Sequence, residues 1–381
     1  MATATTLAPG TFEDAAAALA AATAEGRSVR IVGSGTKLHW GAVAPEADTV
    51  LHTTALDQIV EHNAGDLTAT LQAGVPLALA QRTFAAAGQM LALDPPLAGD
   101  PGPTIGGVVA TGDCGPLRHR YGAPRDPVVG ATVALSDGTV ARAGGTVIKN
   151  VAGYDLAKLF AGAFGTLGVI LSVNVRLHPR HDTSATALGA AADPVTLAAA
   201  ATVLAAFPGE FEALDVAWRA GRGGILARCA GPEAVRRAQR TAQLMREHGL
   251  TGVDVSDHDD PLWERQRAGQ RSAEAALVRI AARPSALAAV IAAAERCAGT
   301  LVGRAALGHT FVEVEPEAVD RLREALPDAA AAVLLDGPAE VRGRHDPWGA
   351  VAGPAAELMR RVKARFDPAG TCNPGLFVAG I

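Results

Sequence analysis

The segment VRIVGSGTKLHWG, residues 29–41, sets Gly33, Ser34, Gly35, Thr36 and Lys37 directly behind a β-branched run. Small residues at a strand end let successive backbone N–H groups turn toward an anion, and a nearby lysine adds positive charge. Three arrangements could underlie such a loop. A P-loop requires G-x-x-x-x-G-K-[ST], but here Lys37 follows Thr36 and the glycines are wrongly spaced. A dinucleotide Rossmann fingerprint requires a small residue at position 38 and an immediate helix, whereas Leu38 leads into HWGAVAPEAD. A strand-to-loop nest remains, with an ordinary tight turn as its alternative.

A second glycine-rich stretch, PTIGGVVATGDCG (103–115), carries Gly106, Gly107, Gly112 and Gly115, with Gly102 just before it. Two such loops in one α/β region suit a large ligand with a pyrophosphate and a flat ring system. Arg118 and Arg120 flank this stretch, and a guanidinium there meets a phosphate, a carboxylate or an intradomain ion-pair partner.

Of the ten histidines, none falls in a pair or a defensible motif. His39 reads as a surface residue beside Trp40, while His309 in LGHTFVE and His345 in RHDPWG are the candidates for a base. Lys149 and Asp155, in KNVAGYDLAK, read as loop-ordering residues. No catalytic residue is assigned. Cys114, Cys229, Cys297 and Cys372 lie far apart without a C-x-x-C spacing, so free thiols are expected and no metal or iron–sulfur site on this chain.

The elements that must position these residues follow from periodicity and punctuation. TFED opens a helix over 12–24 through a capping box at Thr11, and strands are expected at 28–32 and 49–54. LDQIVEHNAG reads as a short helix ending at Gly65, LTATLQAGV as a half-buried strand, and PLALAQRTFAAAG as a helix from Pro76 to Gly88. Residues 94–122 lack clear periodicity, and PVVGATVALSDGTVARAGG is a hairpin turning at Asp137-Gly138. GTLGVILSVNVRLHP holds a long strand over 169–177. Beyond a linker-like stretch after Pro179, strands are expected at 212–218, 224–229, 276–282, 300–306, 310–315 and 331–335, with helices at 232–248, 284–297 and 317–325. A last helix, GPAAELMRRVKARF, precedes FDPAGTCNPG.

The chain of 381 residues exceeds one compact core, and its 49% hydrophobic and 19% charged residues are globular in composition. A formal net charge of −5 without basic blocks argues against nucleic acid as a partner. Glu13 and Asp14 interrupt any signal-peptide core, and the longest apolar run, near 197–207, is too short to span a bilayer. A soluble, cytoplasmic chain is expected.

The order IVGSGTK, DPP…TIGGVVATGDCG…RYGAPRDPVVG, NVAGYDLAKLFAGAFGTLGVI and FDPAGTCNPG resembles the flavin-binding domain of the vanillyl-alcohol oxidase, or PCMH, type. The stretch GGTVIKNVAGYDLAKLFAGAFGTLGVILSV, followed by a short second domain, is similar to one branch, the smaller FAD-binding subunit of bacterial glycolate oxidase. The resemblance is dense over about residues 28–180 and 341–376. It implies an α+β fold: a two-subdomain PCMH-type FAD-binding domain at 1–180, a short α+β cap domain with an antiparallel sheet at 181–340, and a C-terminal segment at 341–381 returning to the FAD domain.

Carried over residue by residue, the resemblance implies non-covalent FAD held by Gly33, Ser34, Gly35, Thr36, Lys37 and Leu38 at the pyrophosphate. Thr104, Ile105, Gly106, Gly107, Ala110 and Thr111 would run beside the pyrophosphate and isoalloxazine, with Gly115 continuing that wall and Arg118 at its edge. Gly168, Val169 and Ile170 would cover the ribityl or adenine side, and Asn373 would close the site. The chain departs from the family pattern at Ser34, where glycine is usual, at GDCGP, and at Leu376, where Arg or Lys is usual. The implied activity is oxidation of glycolate or another small 2-hydroxy acid to the 2-oxo acid. The implied partners are a larger FAD-binding subunit and an iron–sulfur subunit, with membrane contact only through that complex on the inner face. A stand-alone FAD-linked oxidase of another small hydroxylated substrate, or a structural subunit with an empty flavin site, are the alternatives.

Overall fold

The computed structural model describes residues 4–97, 99–100, 102–146, 154–272, 274–349, 351 and 353–381. Lys149, expected to order its loop, lies outside the described residues. The chain forms two compact units. The first comprises Met1–Cys114, Tyr121–Arg180 and Ala350–Ile381, and the second comprises Gly115–Arg120 and His181–Gly349. The C-terminal return thus begins at residue 350 rather than 341, and a six-residue piece of the second glycine region groups with the later unit.

In the first unit, β1 (Thr5–Leu7), β2 (Val29–Val32) and β3 (Thr49–His52) form a parallel sheet in the order β1-β3-β2. The helix Phe12–Ala24 packs on it through Ala15, Leu19 and Ala22, and Thr11 caps that helix by accepting the Asp14 amide at 3.1 Å. A second, antiparallel sheet contains β4 (Ile59–Asn63) and β5 (Thr68–Gln72). Past a short β6 (Gln89–Met90) it continues with β7 (Val128–Ala134), β8 (Val140–Gly144) and β9 (Val169–Arg176), in the order β4-β5-β9-β7-β8. β10 (His178–Pro179) pairs with β6.

β4 occupies residues where the sequence predicts a helix. It is an edge strand paired only to β5, with Val60 58% exposed, so its pattern carries no clean alternation, and the turn at 63–66 is fixed by the Asn63 side chain rather than by glycine alone. The aperiodic stretch at 94–122 contains a short helix, Ile105–Thr111, hidden in the sequence by its two glycines.

The second unit is an eight-stranded antiparallel sheet backed by helices. Its strands are β11 (Ser184–Ala191), β12 (Ala213–Arg219), β13 (Arg222–Ala230), β14 (Thr251–Ser256), β15 (Ala276–Ala281), β16 (Thr300–Arg304), β17 (His309–Val314) and β18 (Ala331–Asp336). They lie in the order β14-β11-β13-β12-β16-β17-β15-β18. Leu197, Val290 and Leu322, from three covering helices, bury one face against Trp218, Leu301 and Val312. Sequence pattern missed β11, β14 and the helices Pro194–Ala206 and Asp260–Ala268. β11 reads SATALGAA, with only one β-branched residue, yet it pairs along its whole length with β13, so tertiary pairing overrides a weak propensity.

The other face of this sheet buries charge. Arg304 donates from Nε to Asp215 Oδ1 at 3.1 Å and from Nη2 to Oδ2 at 2.9 Å, while Nη1 donates to Gln270 Oε1 at 3.0 Å. All three residues are fully buried. Burial pushes the Asp215 carboxyl up, and the guanidinium pulls it back. Replacing Asp215 by Ala leaves that guanidinium buried and uncompensated. The expected cost is about 3–5 kcal/mol in urea unfolding, with most of it recovered in an Asp215→Leu/Arg304→Met double variant. A single-variant loss below about 1 kcal/mol would show that the pair is solvated.

Candidate cofactor site

β2 ends at Val32, and the chain turns through Gly33–Lys37, with Gly35 at φ +80°, where a side chain is strained. Ser34 Oγ donates to the Gly102 carbonyl at 2.6 Å and ties this loop to the second glycine region. Among the described residues, no protein acceptor takes the amides of Gly33, Ser34, Gly35 or Thr36. Lys37 Nζ lies 3.2 Å from Asp113 Oδ2, with the two side chains 6% and 2% exposed, and 5.8 Å from the Trp40 ring centre. Its charge is already matched by a carboxylate, so the loop offers an anion chiefly its backbone dipoles.

The helix Ile105–Thr111 comes against this loop through backbone alone. Thr104 Oγ1 accepts the Gly107 amide at 3.2 Å, and the amides of Ile105 and Gly106 donate to Val75 O at 2.9 Å and Ala73 O at 2.8 Å. The first amides of that helix are therefore occupied by protein. A Cβ on Gly33 would stand 2.4 Å from Thr104 Oγ1, and one on Gly106 would stand 2.7 Å from Ala73 Cβ. Neither position tolerates a side chain without movement of its neighbour.

The C-terminal return adds a third wall. Val29 donates to Thr371 O at 2.8 Å, and Asn373 donates to Val29 O at 2.9 Å, so residues 371–373 extend the edge of β2 in parallel. The Asn373 side chain accepts the Ile31 amide at 2.9 Å and donates to Phe164 O at 2.7 Å. Phe164, itself at φ +54°, stacks on Phe377 at 5.6 Å. Burial pushes the neighbouring Cys372 thiol up to about 12, which leaves it an unreactive core group.

These segments line one cleft, whose non-atom space, open solvent included, is about 780 Å³. Gly33, Ser34, Gly35, Thr36, Lys37 and Leu38 line one side, and Thr104, Gly106, Gly107, Ala110 and Thr111 another. Gly168, Ile170 and Asn373 also line it. Four of the residues expected in the site do not: Ile105 and Val169 are fully buried in the cores, and Gly115 and Arg118 group with the second unit. Sequence reasoning missed Arg30, Trp40, Thr53, Ala73, Phe164 and Leu376. Phe164-Gly165 stood inside a quoted motif, but Thr53 and Ala73 follow strands whose register no sequence pattern fixes.

His39 is half-buried beside the buried Trp40 rather than fully on the surface. His345 pairs with Asp320 at 3.0 Å. His309, on β17, is 8% exposed, and burial followed by the charges of Arg118, Arg304 and Arg279 holds it well below the usual imidazole range. His119 is also lowered, chiefly by burial. Among the described residues, the buried Nδ1 of each ring finds no hydrogen-bond partner.

A strand-to-loop nest with unclaimed amides, facing a glycine-walled apolar cavity, defines a site for a cofactor with a pyrophosphate and a flat ring. Residues 3–144 match the family described as the FAD binding domain; this part of the chain is an FAD-binding domain, and FAD is its cofactor. The glycolate oxidase subunit GlcE of Escherichia coli (strain K12) is 38% identical over 150 residues, which are 39% of this chain and 42% of that subunit. The match thus spans less than half of that relative. An uncharacterized FAD-linked oxidoreductase of Mycobacterium tuberculosis is 27% identical over 97% of this chain and 89% of its own length. In fold, the chain is similar to alkyldihydroxyacetonephosphate synthase, with a TM-score of 0.69 and 14% identity over 97% of this chain and 76% of that one. The family match thus concerns residues 3–144, and the relatives that it resembles include proteins named as FAD-linked oxidoreductases.

The geometry generates two expectations. Gly33→Ala should cut the flavin retained on purification at least about tenfold, because the new methyl displaces the Thr104 hydroxyl. Adding Thr104→Ala should restore part of it, and unchanged flavin-to-protein absorbance in the single variant would contradict the assigned contact. Below about pH 6.5 the unfolded chain protonates His119 and His309 while the folded chain resists. Stability should therefore fall as pH drops from about 7.5 to 5.5. Urea midpoints should show a shallower fall in His309→Gln.

Proposed function

We propose that this chain is the FAD-binding subunit of a multi-subunit oxidase or dehydrogenase acting on small 2-hydroxy acids, glycolate first among them. The observation that carries this reading is the composition of the cavity wall. Among its described residues only Arg30 and Lys37 bear ionisable side chains, and Lys37 is already paired with Asp113. Such a wall binds a cofactor and excludes water without supplying a base. A subunit that holds flavin inside a larger assembly needs no more than this. The stretch shared with GlcE, a protein named as a glycolate oxidase subunit, supports the same reading.

The amides of Gly33–Thr36 would hold the pyrophosphate of FAD, and Phe164 and Ile170 would give the ring system its apolar surroundings. FAD, when bound, supplies the two-electron acceptor for oxidation of the hydroxyl-bearing carbon. Asn373 keeps the Phe164 backbone in place through its side-chain amide. The four cysteines are separately buried thiols. Electrons would pass to an iron–sulfur subunit, alongside a larger flavin subunit, at the inner face of the membrane. Among the described residues no helix is long and apolar enough to cross a membrane.

The test is the visible spectrum of the purified chain and of its acid supernatant, followed by glycolate-dependent reduction of an artificial dye. The expected result is about one equivalent of freely released FAD, with turnover that appears only when the partner subunits are co-purified. Full turnover by the chain alone would make it a stand-alone oxidase. A colourless chain that refuses added FAD would make it a structural subunit.

A further inference from the structure

The large sheet of the second unit ends differently at its two edges. At one, Leu334 on β18 donates its amide to Pro347 O at 2.8 Å, so the chain itself covers that strand. At the other, among the described residues, β14 pairs with β11 alone. An open edge strand offers its outward N–H and C=O groups to any other strand. Here two of those groups are already taken by side chains of the same unit. Asp254 Oδ1 accepts the Val255 amide at 2.8 Å. Arg246 Nη2, from the last turn of the helix Ala234–Glu247, donates to the Val253 carbonyl at 3.2 Å. The two groups lie two residues apart, the spacing at which an edge strand turns its backbone away from its neighbour. The β14 ladder also shifts register between Leu188 and Ala190, with one extra residue on β14. Such a bulge bends an edge away from a flat partner.

We propose that Asp254 and Arg246 form a block that stops β14 from pairing, edge to edge, with β14 of a second copy of this chain. The copy is the partner that the strand invites. Val253 and Val255 pack against the helix-covered core, so a two-fold antiparallel β14–β14 ladder would run one apolar core into the next. The block opposes that ladder twice. First, the Val255 amide and the Val253 carbonyl must give up their present partners before they can bond the copy. Second, a register that sets Val253 opposite the copy's Val255 sets Asp254 directly opposite the copy's Asp254. Two exposed carboxylates at one cross-strand position repel. Aspartate is depleted in strands, and this role accounts for one in the middle of β14. The inference stands on the sheet of the second unit alone and does not depend on the cofactor or its chemistry.

The experiment is sedimentation equilibrium of the purified full chain, with hydrogen–deuterium exchange followed in the peptide that covers Thr251–Ser256. The unaltered chain is compared with Arg246→Ala/Asp254→Thr, in which threonine suits a strand and carries no charge. The double variant should self-associate at least about tenfold more tightly than the unaltered chain. Exchange over β14 should slow in step as its concentration rises, because the outward amides become paired. Asp254→Thr alone, at an exposed position, repeats the comparison should the double variant not fold. An unchanged association constant in these variants would overturn the inference. So would association that leaves exchange over β14 unaltered or speeds it, since the copies would then meet elsewhere or through unfolded chain. Protection of β14 that already grows with concentration in the unaltered chain would overturn it as well, because the edge would then be open as it stands.

Discussion

A Cβ at position 33 would lie 2.4 Å from Thr104 Oγ1, and the arrangement around the cavity depends on there being none. Because Gly33 lets the two backbones touch, Ser34 reaches the Gly102 carbonyl and the Thr104 hydroxyl remains free to cap Gly107. The amides of Ile105 and Gly106 are then taken by the chain following β5, and those of Gly33–Thr36 are left for a ligand. Asn373 completes the frame with one amide side chain that bonds both β2 and the Phe164 turn. Buried amides bonded in this way have few alternative geometries, so the walls are set before any cofactor arrives.

The second unit follows a different logic. Its helix-covered face is an ordinary apolar core, while the opposite face buries an ion pair, a glutamine and a neutral histidine. Burying charge on a sheet is costly unless each group is hydrogen-bonded, and Arg304 meets that condition through Asp215 and Gln270. His309 does not, because its Nδ1 is left over. Among the described residues, Gln270 Nε2 is likewise left over, so the polar cluster on that face satisfies its guanidinium first and leaves deficits at its edges.

How much of this could be read beforehand depends on which physical signal each residue carries. The glycine loop was legible because glycines, Ser34 and Lys37 behind a β-branched strand have few other uses, and fourteen of the expected residues line one cavity. Ile105 and Val169 were misplaced for the opposite reason: they stand inside site motifs, but helix and strand periodicity turns them into the core. β4 was read as a helix because an exposed edge strand needs no alternation, and β11 was missed because alanines and glycine pair well when both neighbours are supplied by the fold. The Arg304–Asp215 pair joins residues far apart in sequence, and only the register of β12 against β16 brings them together.

The two units also divide the chemistry by type of group. The cavity of the first presents backbone dipoles and apolar walls, and its one buried lysine is neutralised within the wall. The second presents imidazole and guanidinium on a rigid sheet, where strand register fixes their spacing better than a loop would. Cofactor affinity is therefore governed by steric exclusion at glycines, and the stability of the sheet by hydrogen-bond and charge complementarity at side chains. These two quantities respond to different substitutions: a methyl group at Gly33 changes the first through packing, and loss of the Asp215 carboxylate changes the second through pairing. Because neither set of residues contains the other's partners, the effects on FAD retention and on stability should add rather than couple.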